Sequence, residues 1–151
     1  MKKLRWDESL SAAENSRAVL PGLACAYFEA GRELMGKTPQ PAALHRFRLD
    51  TKALRYTLEL FRPCYGPGLE RHLAVLRKIQ GYLGFISDYA TTTGLVTAHL
   101  AENTPERVRI EALLTARTRR KFLELRRYWK GVVDPPGAER RWRNYLARPR
   151  R

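Results

Sequence analysis

The stretch Leu44-His45-Arg46-Phe47-Arg48-Leu49-Asp50-Thr51-Lys52-Ala53-Leu54-Arg55-Tyr56 decides how this chain folds. Phe47 and Leu54, continued by Leu58 and Phe61, share one face of a helix and can pack into a core. His45, Arg48, Lys52 and Arg55 follow each other at steps of three, four and three. At about 100° per residue they fall within an arc of about 80°, along about 15 Å of axis. Cations one turn apart repel by a few tenths of a kcal/mol per pair. A locally unfavourable pattern of this kind is expected where function requires it. The plain alternative is the wet face of an amphipathic helix, with Glu59 paired to Arg55 as an ordinary surface ion pair. Spacing alone leaves these two readings evenly balanced, and a single histidine such as His45 is more often structural than catalytic.

Outward from this segment, the punctuation gives more helices. Asp7 or Ser9 can cap a helix that ends near Met35 with Gly36 as its stop, and Pro21-Gly22 should kink or split it. The second helix spans about Ala42 to Arg62, before Pro63. A third starts near Leu69, is weakened by Gly81 and Gly84, and is expected to break near Gly84 before continuing to about Ala101. Thr104-Pro105-Glu106 restarts the chain as a fourth helix reaching about Lys130. A short basic helix from Ala138 to Leu146 leads into an Arg148–Arg151 tail. No run alternates like a strand. The reading is all-α: an antiparallel up-down bundle of four long helices plus a short C-terminal helix, with residues 1–134 as the bundle and 135–151 as helix and tail.

The length of 151 residues suits one domain, and 44% hydrophobic residues suffice for a core. The net charge of +14 calls for an anionic partner: nucleic acid, an acidic membrane surface or a polyphosphate. Residues 104–151 carry a net +10, against +4 for residues 1–103. Cys25 and Cys64 lie far apart without ligand spacing and read as buried thiols in a reducing compartment. The basic start, Met1 to Glu8, lacks a following apolar region, and the longest apolar stretch is too short to span a bilayer. The expected location is the cytoplasm.

Two further features carry charge. Arg77, Gln80, Gly84 and Asp88 share a face, where the glycine permits close approach of a helix or ligand and Asp88 could organise basic side chains. The run from Arg117 to Lys130 surrounds Phe122, Leu125 and Trp129 with cations, and Arg117, Arg120, Lys121 and Tyr128 are the candidates for an inward-facing rim. Each has a bland counterpart: a packing glycine with a terminal carboxylate, and solvated charge. There is no Gly-rich phosphate loop, HExxH, GxSxG or zinc-ligand spacing, and acidic residues are not clustered as metal ligands. Neither a catalytic constellation nor a cofactor is indicated.

The segment Leu44 to Tyr56, followed by Leu58-Glu59-Leu60-Phe61, resembles the signature helix of the CHAD family, the conserved-histidine α-helical domains. Leu76-Arg77-x-x-Gln80-x-x-Leu83-Gly84-x-x-x-Asp88 is similar to that family's second motif, and Arg120-Lys121-Phe122 to Trp129 to its basic, aromatic C-terminal helix. The resemblance covers about Ala42 to Lys130. It implies non-enzymatic binding of inorganic polyphosphate, with association with polyphosphate granules. The ligand-facing candidates it implies are His45, Arg48, Lys52, Arg55 and Arg77. Lys78, Arg117, Arg120 and Lys121 join them as neighbouring cations, and Tyr56, Gln80 and Asp88 as supporting residues. The chain departs from the family at Phe85 and Ser87, and it holds about one of the family's two helical halves, which makes a homodimer a reasonable expectation. The alternative is a nucleic-acid-binding module in which Tyr128, Trp129, Trp142 and Tyr145 stack on bases among the C-terminal cations. An enzyme using His45 on a phosphorylated substrate, and a helical interaction protein, are the remaining readings.

Overall fold

The computed structural model describes residues 7–148. The amino-terminal stretch 1–6 and the end of the basic tail, 149–151, lie outside the described residues. Helix α1 spans Ala12–Gly36, α2 Pro41–Leu60, a one-turn α3 Arg62–Tyr65, α4 Leu69–His99, α5 Pro105–Tyr128 and α6 Ala138–Leu146. A 3-10 turn, Gly66–Gly68, precedes α4, and a π turn, Trp129–Val133, follows α5. No strand occurs among the described residues, and the all-α reading with four long helices and a short C-terminal one is correct.

Several boundaries differ from the sequence reading, each for a local reason. The cap of α1 is Ser11, not Asp7 or Ser9. Only Ser11 has a glutamate three residues on, so the Glu14 N–H donates to Ser11 Oγ and the Ser11 N–H donates to Glu14 Oε2. Asp7 instead accepts from the Ser9 N–H and hydroxyl. Helix α1 runs unbroken through Pro21-Gly22, because Leu20, Leu23, Ala24, Tyr27 and Phe28 on both sides of the proline are buried. Helix α2 ends at Leu60 rather than Arg62, since Phe61 leaves helical geometry and Arg62 begins the separate turn α3. Helix α4 continues through Gly84 for 31 residues, held by fully buried Leu76, Ile79 and Leu83. Tertiary burial here outweighs the roughly 1 kcal/mol cost of a helical glycine. Helix α5 ends at Tyr128, where the chain widens so that the Asp134 N–H donates to the Trp129 carbonyl at 2.8 Å. Thr104 is the α5 N-cap position, though its hydroxyl donates back to Ala101.

Helix α4 packs against both α2 and α5, and α1 packs against α2 and α6. The core centres on an aromatic cluster: Trp129 meets Tyr27, Phe28 and Phe47, and Phe28 meets Trp142 edge-on. The core is continuous across residue 134, because Ala138, Trp142 and Leu146 of α6 belong to it. Arg32 of α1 fastens this region, its guanidinium donating to both Asp134 carboxylate oxygens and to Glu139. Cys25 and Cys64 are free thiols, half-buried rather than fully enclosed.

His72, which has no sequence neighbour to explain it, docks α6 on α4. Its ring lies 4.5 Å from Tyr145 in a stack and 4.4 Å from Trp142 edge-on, with Nδ1 3.3 Å from the Gly68 carbonyl. Burial pushes its pKa below the ordinary 6.5. The unfolded chain therefore takes up this proton first on acidification. The His72 contribution is whole above about pH 6.5 and is lost as pH falls towards the lower folded value. The melting temperature of the parent should drop more between pH 7.5 and pH 5 than that of His72→Phe. Equal drops in thermal melts would refute this role.

Candidate functional site

Helices α2 and α4 run antiparallel, and two contacts fix their register. At one end, His45 and Arg48 line a hollow of about 120 Å³ with Leu83, Ile86, Ser87 and Thr118. At the other, Arg62 donates to Glu70 at 2.7 Å. Seven residues return a helix to nearly the same side, about 20° short of two full turns. Arg48 and Arg55 are thus a stripe along α2, facing a stripe of Gly84, Arg77 and Glu70 on α4, and Arg62, past the break at Phe61, reaches that line through its contact with Glu70. Between them runs the candidate groove.

The four residues of the α2 row have different environments. His45 is exposed, whereas Arg48, Lys52 and Arg55 are half-buried at the edge nearest α4. Arg55 is fixed: its Nη1 donates to Glu59 Oε1 at 2.6 Å, and its guanidinium lies 4.3 Å over the Tyr56 ring. The surface-pair reading of Arg55–Glu59 is therefore what the structure shows, except that the Arg55 side chain is only 18% exposed and its Nε is buried without a partner. Arg48 and Lys52 form no ion pair and no side-chain hydrogen bond among the described residues. Tyr56 is exposed, so it supports the row by holding Arg55 and not by packing in the core.

On α4, Gln80, Gly84 and Ser87 are half-buried along the side that meets α2. A Cβ at Gly84 would meet nothing within 4 Å, so the glycine leaves open space instead of admitting a neighbouring helix. Arg77 pairs with Glu70. Asp88 is exposed and makes no ion pair among the described residues. Its expected role as an organiser of cations has no partner among the described residues, where Glu59 and Glu70 hold Arg55, Arg62 and Arg77.

The remaining cations do not join this groove. Lys78 is about 160° around α4 from Gln80, and its ammonium lies 5.3 Å from the Tyr82 ring. Lys121 reaches the same side of α4, 5.9 Å from the Tyr82 ring and 5.0 Å from that of Phe85, and pairs with Glu124 at 2.7 Å. Arg120 is 84% exposed and shares Glu124, and Arg117 is exposed. Tyr128 meets Tyr82 at 5.8 Å. The inward-facing rim read from α5 is therefore an outward one on the opposite flank of α4. The reason is helical phase: Phe122 and Leu125 claim the core, which turns Arg117 and Arg120 to solvent. Ser87 and Thr118 are the lining residues that charge patterning could not reveal, since neither is ionisable.

Three of the four aromatics read as base-stacking platforms are engaged within the fold, and Tyr128 is half-buried. Trp129 is 2% and Trp142 8% exposed, and Tyr145 is stacked on His72. Among the described residues no three His, Cys, Asp or Glu side chains gather as a metal-holding group, and no helix is long and apolar enough to cross a membrane.

The CHAD domain family model matches residues 2–97, which takes in α1, α2 and most of α4 and leaves α5 outside. The resemblance noted for Arg120 to Trp129 thus lies beyond the matched span, as does Thr118, while the α2 and α4 residues of the groove lie within it. No curated protein and no solved structure gives a match. With 96 of its 151 residues under one family model, the chain belongs to the CHAD domain family.

Proposed function

We propose that this protein binds inorganic polyphosphate in the α2–α4 groove and does not turn it over. The observation that supports this most is the pair Arg48 and Lys52, one turn apart, half-buried and without an anionic partner among the described residues. Side chains held in that way favour a ligand with closely spaced charge: a guanidinium takes phosphate oxygens by paired N–H donors and an ammonium as a point charge. Family membership points the same way, since CHAD domains as a class bind polyphosphate. A net charge of +14 adds long-range attraction. The cytoplasm, with polyphosphate granules, is the location that suits such a ligand.

The test is a titration with long-chain polyphosphate at rising salt. Binding should fall linearly on a log–log plot, with a slope of about −0.7 for each phosphate neutralised, by analogy with single-stranded nucleic acid. Single-stranded RNA should compete poorly, because the groove presents no free aromatic stack. Effective competition by RNA would favour the nucleic-acid reading, and phosphate release with added Mg²⁺ or Mn²⁺ would make the protein an enzyme. A homodimer is part of the same proposal. The outer part of the α4–α5 hairpin leaves Leu95, Val108 and Leu113 about half exposed among the described residues. Light scattering showing monomer alone, with full ligand binding, would remove the dimer.

A further inference from the structure

Resting on the polyphosphate reading, we infer that the anion track continues past Arg55 to a second subsite built by Arg62 and Arg77, and that Glu70 occupies that subsite as an internal stand-in for phosphate. The geometry carries this. Glu70 uses one carboxylate oxygen for Arg62 and the other for Arg77, so a single anion bridges two guanidinium groups from separate elements. Two arginines converging on one anion is the arrangement that recognises a phosphate. All three side chains are about half exposed, which leaves the carboxylate free to be displaced.

The subsite is in line with the rest of the track. Arg62 opens the turn that follows the end of α2, Glu70 ties it to Arg77, and Arg77 lies on the same stripe of α4 as Gly84. From His45 to Arg55 the row covers roughly 15 Å at 1.5 Å per residue, and Arg62 stands beyond the end of the helix. Glu59 repeats the device one step earlier, holding Arg55 at 2.6 Å. The free protein thus has an open end, Arg48 and Lys52, and a self-satisfied end, Arg55, Arg62 and Arg77, held by two glutamates. A short anion binds at the open end and leaves the glutamates in place. A long chain displaces them and gains the extra cations, so the carboxylates set a preference for length.

The experiment compares parent, Arg62→Ala and Glu70→Gln against long-chain polyphosphate and tripolyphosphate, with circular dichroism melts to confirm folding. Glu70→Gln should bind the long chain roughly threefold to tenfold tighter, as expected for one repulsive charge removed and two arginines freed. Arg62→Ala should weaken the long chain by a similar factor and reduce the salt slope by about 0.7. Both should bind tripolyphosphate within twofold of the parent. If the long chain binds the parent but neither variant moves its affinity by more than twofold, the second subsite is wrong and the Arg48–Lys52 site stands. If the parent binds no polyphosphate, both are wrong.

Discussion

Replacing Arg48 and Lys52 together by alanine is expected to weaken polyphosphate binding about a hundredfold or more at low salt, with the melting temperature unchanged or slightly raised. Hydrogen bonds to charged groups contribute about 1.5–3 kcal/mol each, so two such contacts supply at least about 3 kcal/mol, and each 1.4 kcal/mol is a factor of ten. Stability should move the other way because neither residue has a partner to lose among the described residues. Their mutual repulsion at i,i+4 costs a few tenths of a kcal/mol, and alanine is the better helix former. The same substitution at Arg55 would be less informative, since it also strands Glu59 and uncovers Tyr56. Isothermal titration alongside thermal melts checks the pair of outcomes. Unchanged affinity would move the site away from α2, and a large loss of stability would make Arg48 and Lys52 structural.

The α2 row was legible in the sequence because helical phase is a property of spacing alone, and Phe47, Leu54 and Leu58 fixed which side faced inward. What spacing could not show was pairing. Arg48 and Arg55 look alike in the sequence, yet one is free and the other is clamped by Glu59 and Tyr56. Arg62 was hidden because it lies outside the four-residue pattern and across a helix boundary at Phe61, and only the fold brings Glu70 to it. Lys78, Arg120 and Lys121 went astray for the opposite reason. Charge density suggested a common rim, but the phases of α4 and α5 send these side chains to the far flank. Helix continuity at Pro21 and Gly84 is not legible locally, because propensity costs at most a few kcal/mol and the buried apolar residues on both sides, Leu20 and Leu23, Leu83 and Ile86, outweigh that.

The difference between the two ends of the groove also follows from where the helices are anchored. The corner Phe61–Gly68 is tied into the core by Tyr65, whose hydroxyl donates to the Leu146 carbonyl at 2.6 Å. The cations near it are therefore held close to one another in the free protein, and acids are needed to balance them. Arg48 stands in the first half of α2, beside a hollow whose lining includes Ser87 and Thr118 and no carboxylate. Neutral hydroxyls do not consume the charge of Arg48, and they can donate to an anion.

Gly31→Ala should destabilise the fold by about 3 kcal/mol, at the upper end of what overpacking costs. Gly31 lies in the middle of α1 with helical neighbours on both sides, so alanine would by itself favour the helix by roughly 0.5–1 kcal/mol. The sign is reversed by Trp129: a Cβ on Gly31 would fall on the far edge of the indole ring. That ring cannot retreat, because Tyr27, Phe28 and Phe47 surround it and its exposure is 2%. At about 2–4 °C per kcal/mol for a chain of this size, the melting temperature should fall by roughly 6–12 °C. Trp129→Leu, which leaves a cavity instead, should cost about 3–5 kcal/mol. In the Trp129→Leu background the added methyl has room, and Gly31→Ala should then cost less than about 1 kcal/mol, a coupling of about 2 kcal/mol across the double-mutant cycle. Additive melts would mean that α1 shifts away to make space and that Trp129 does not fix the distance between α1 and the end of α5. The groove gives a second readout, because Phe47, which packs edge-on against Trp129, is on the same helix as Arg48. If the indole sets the seat of α2, Gly31→Ala should weaken polyphosphate binding severalfold at temperatures well below its melting point.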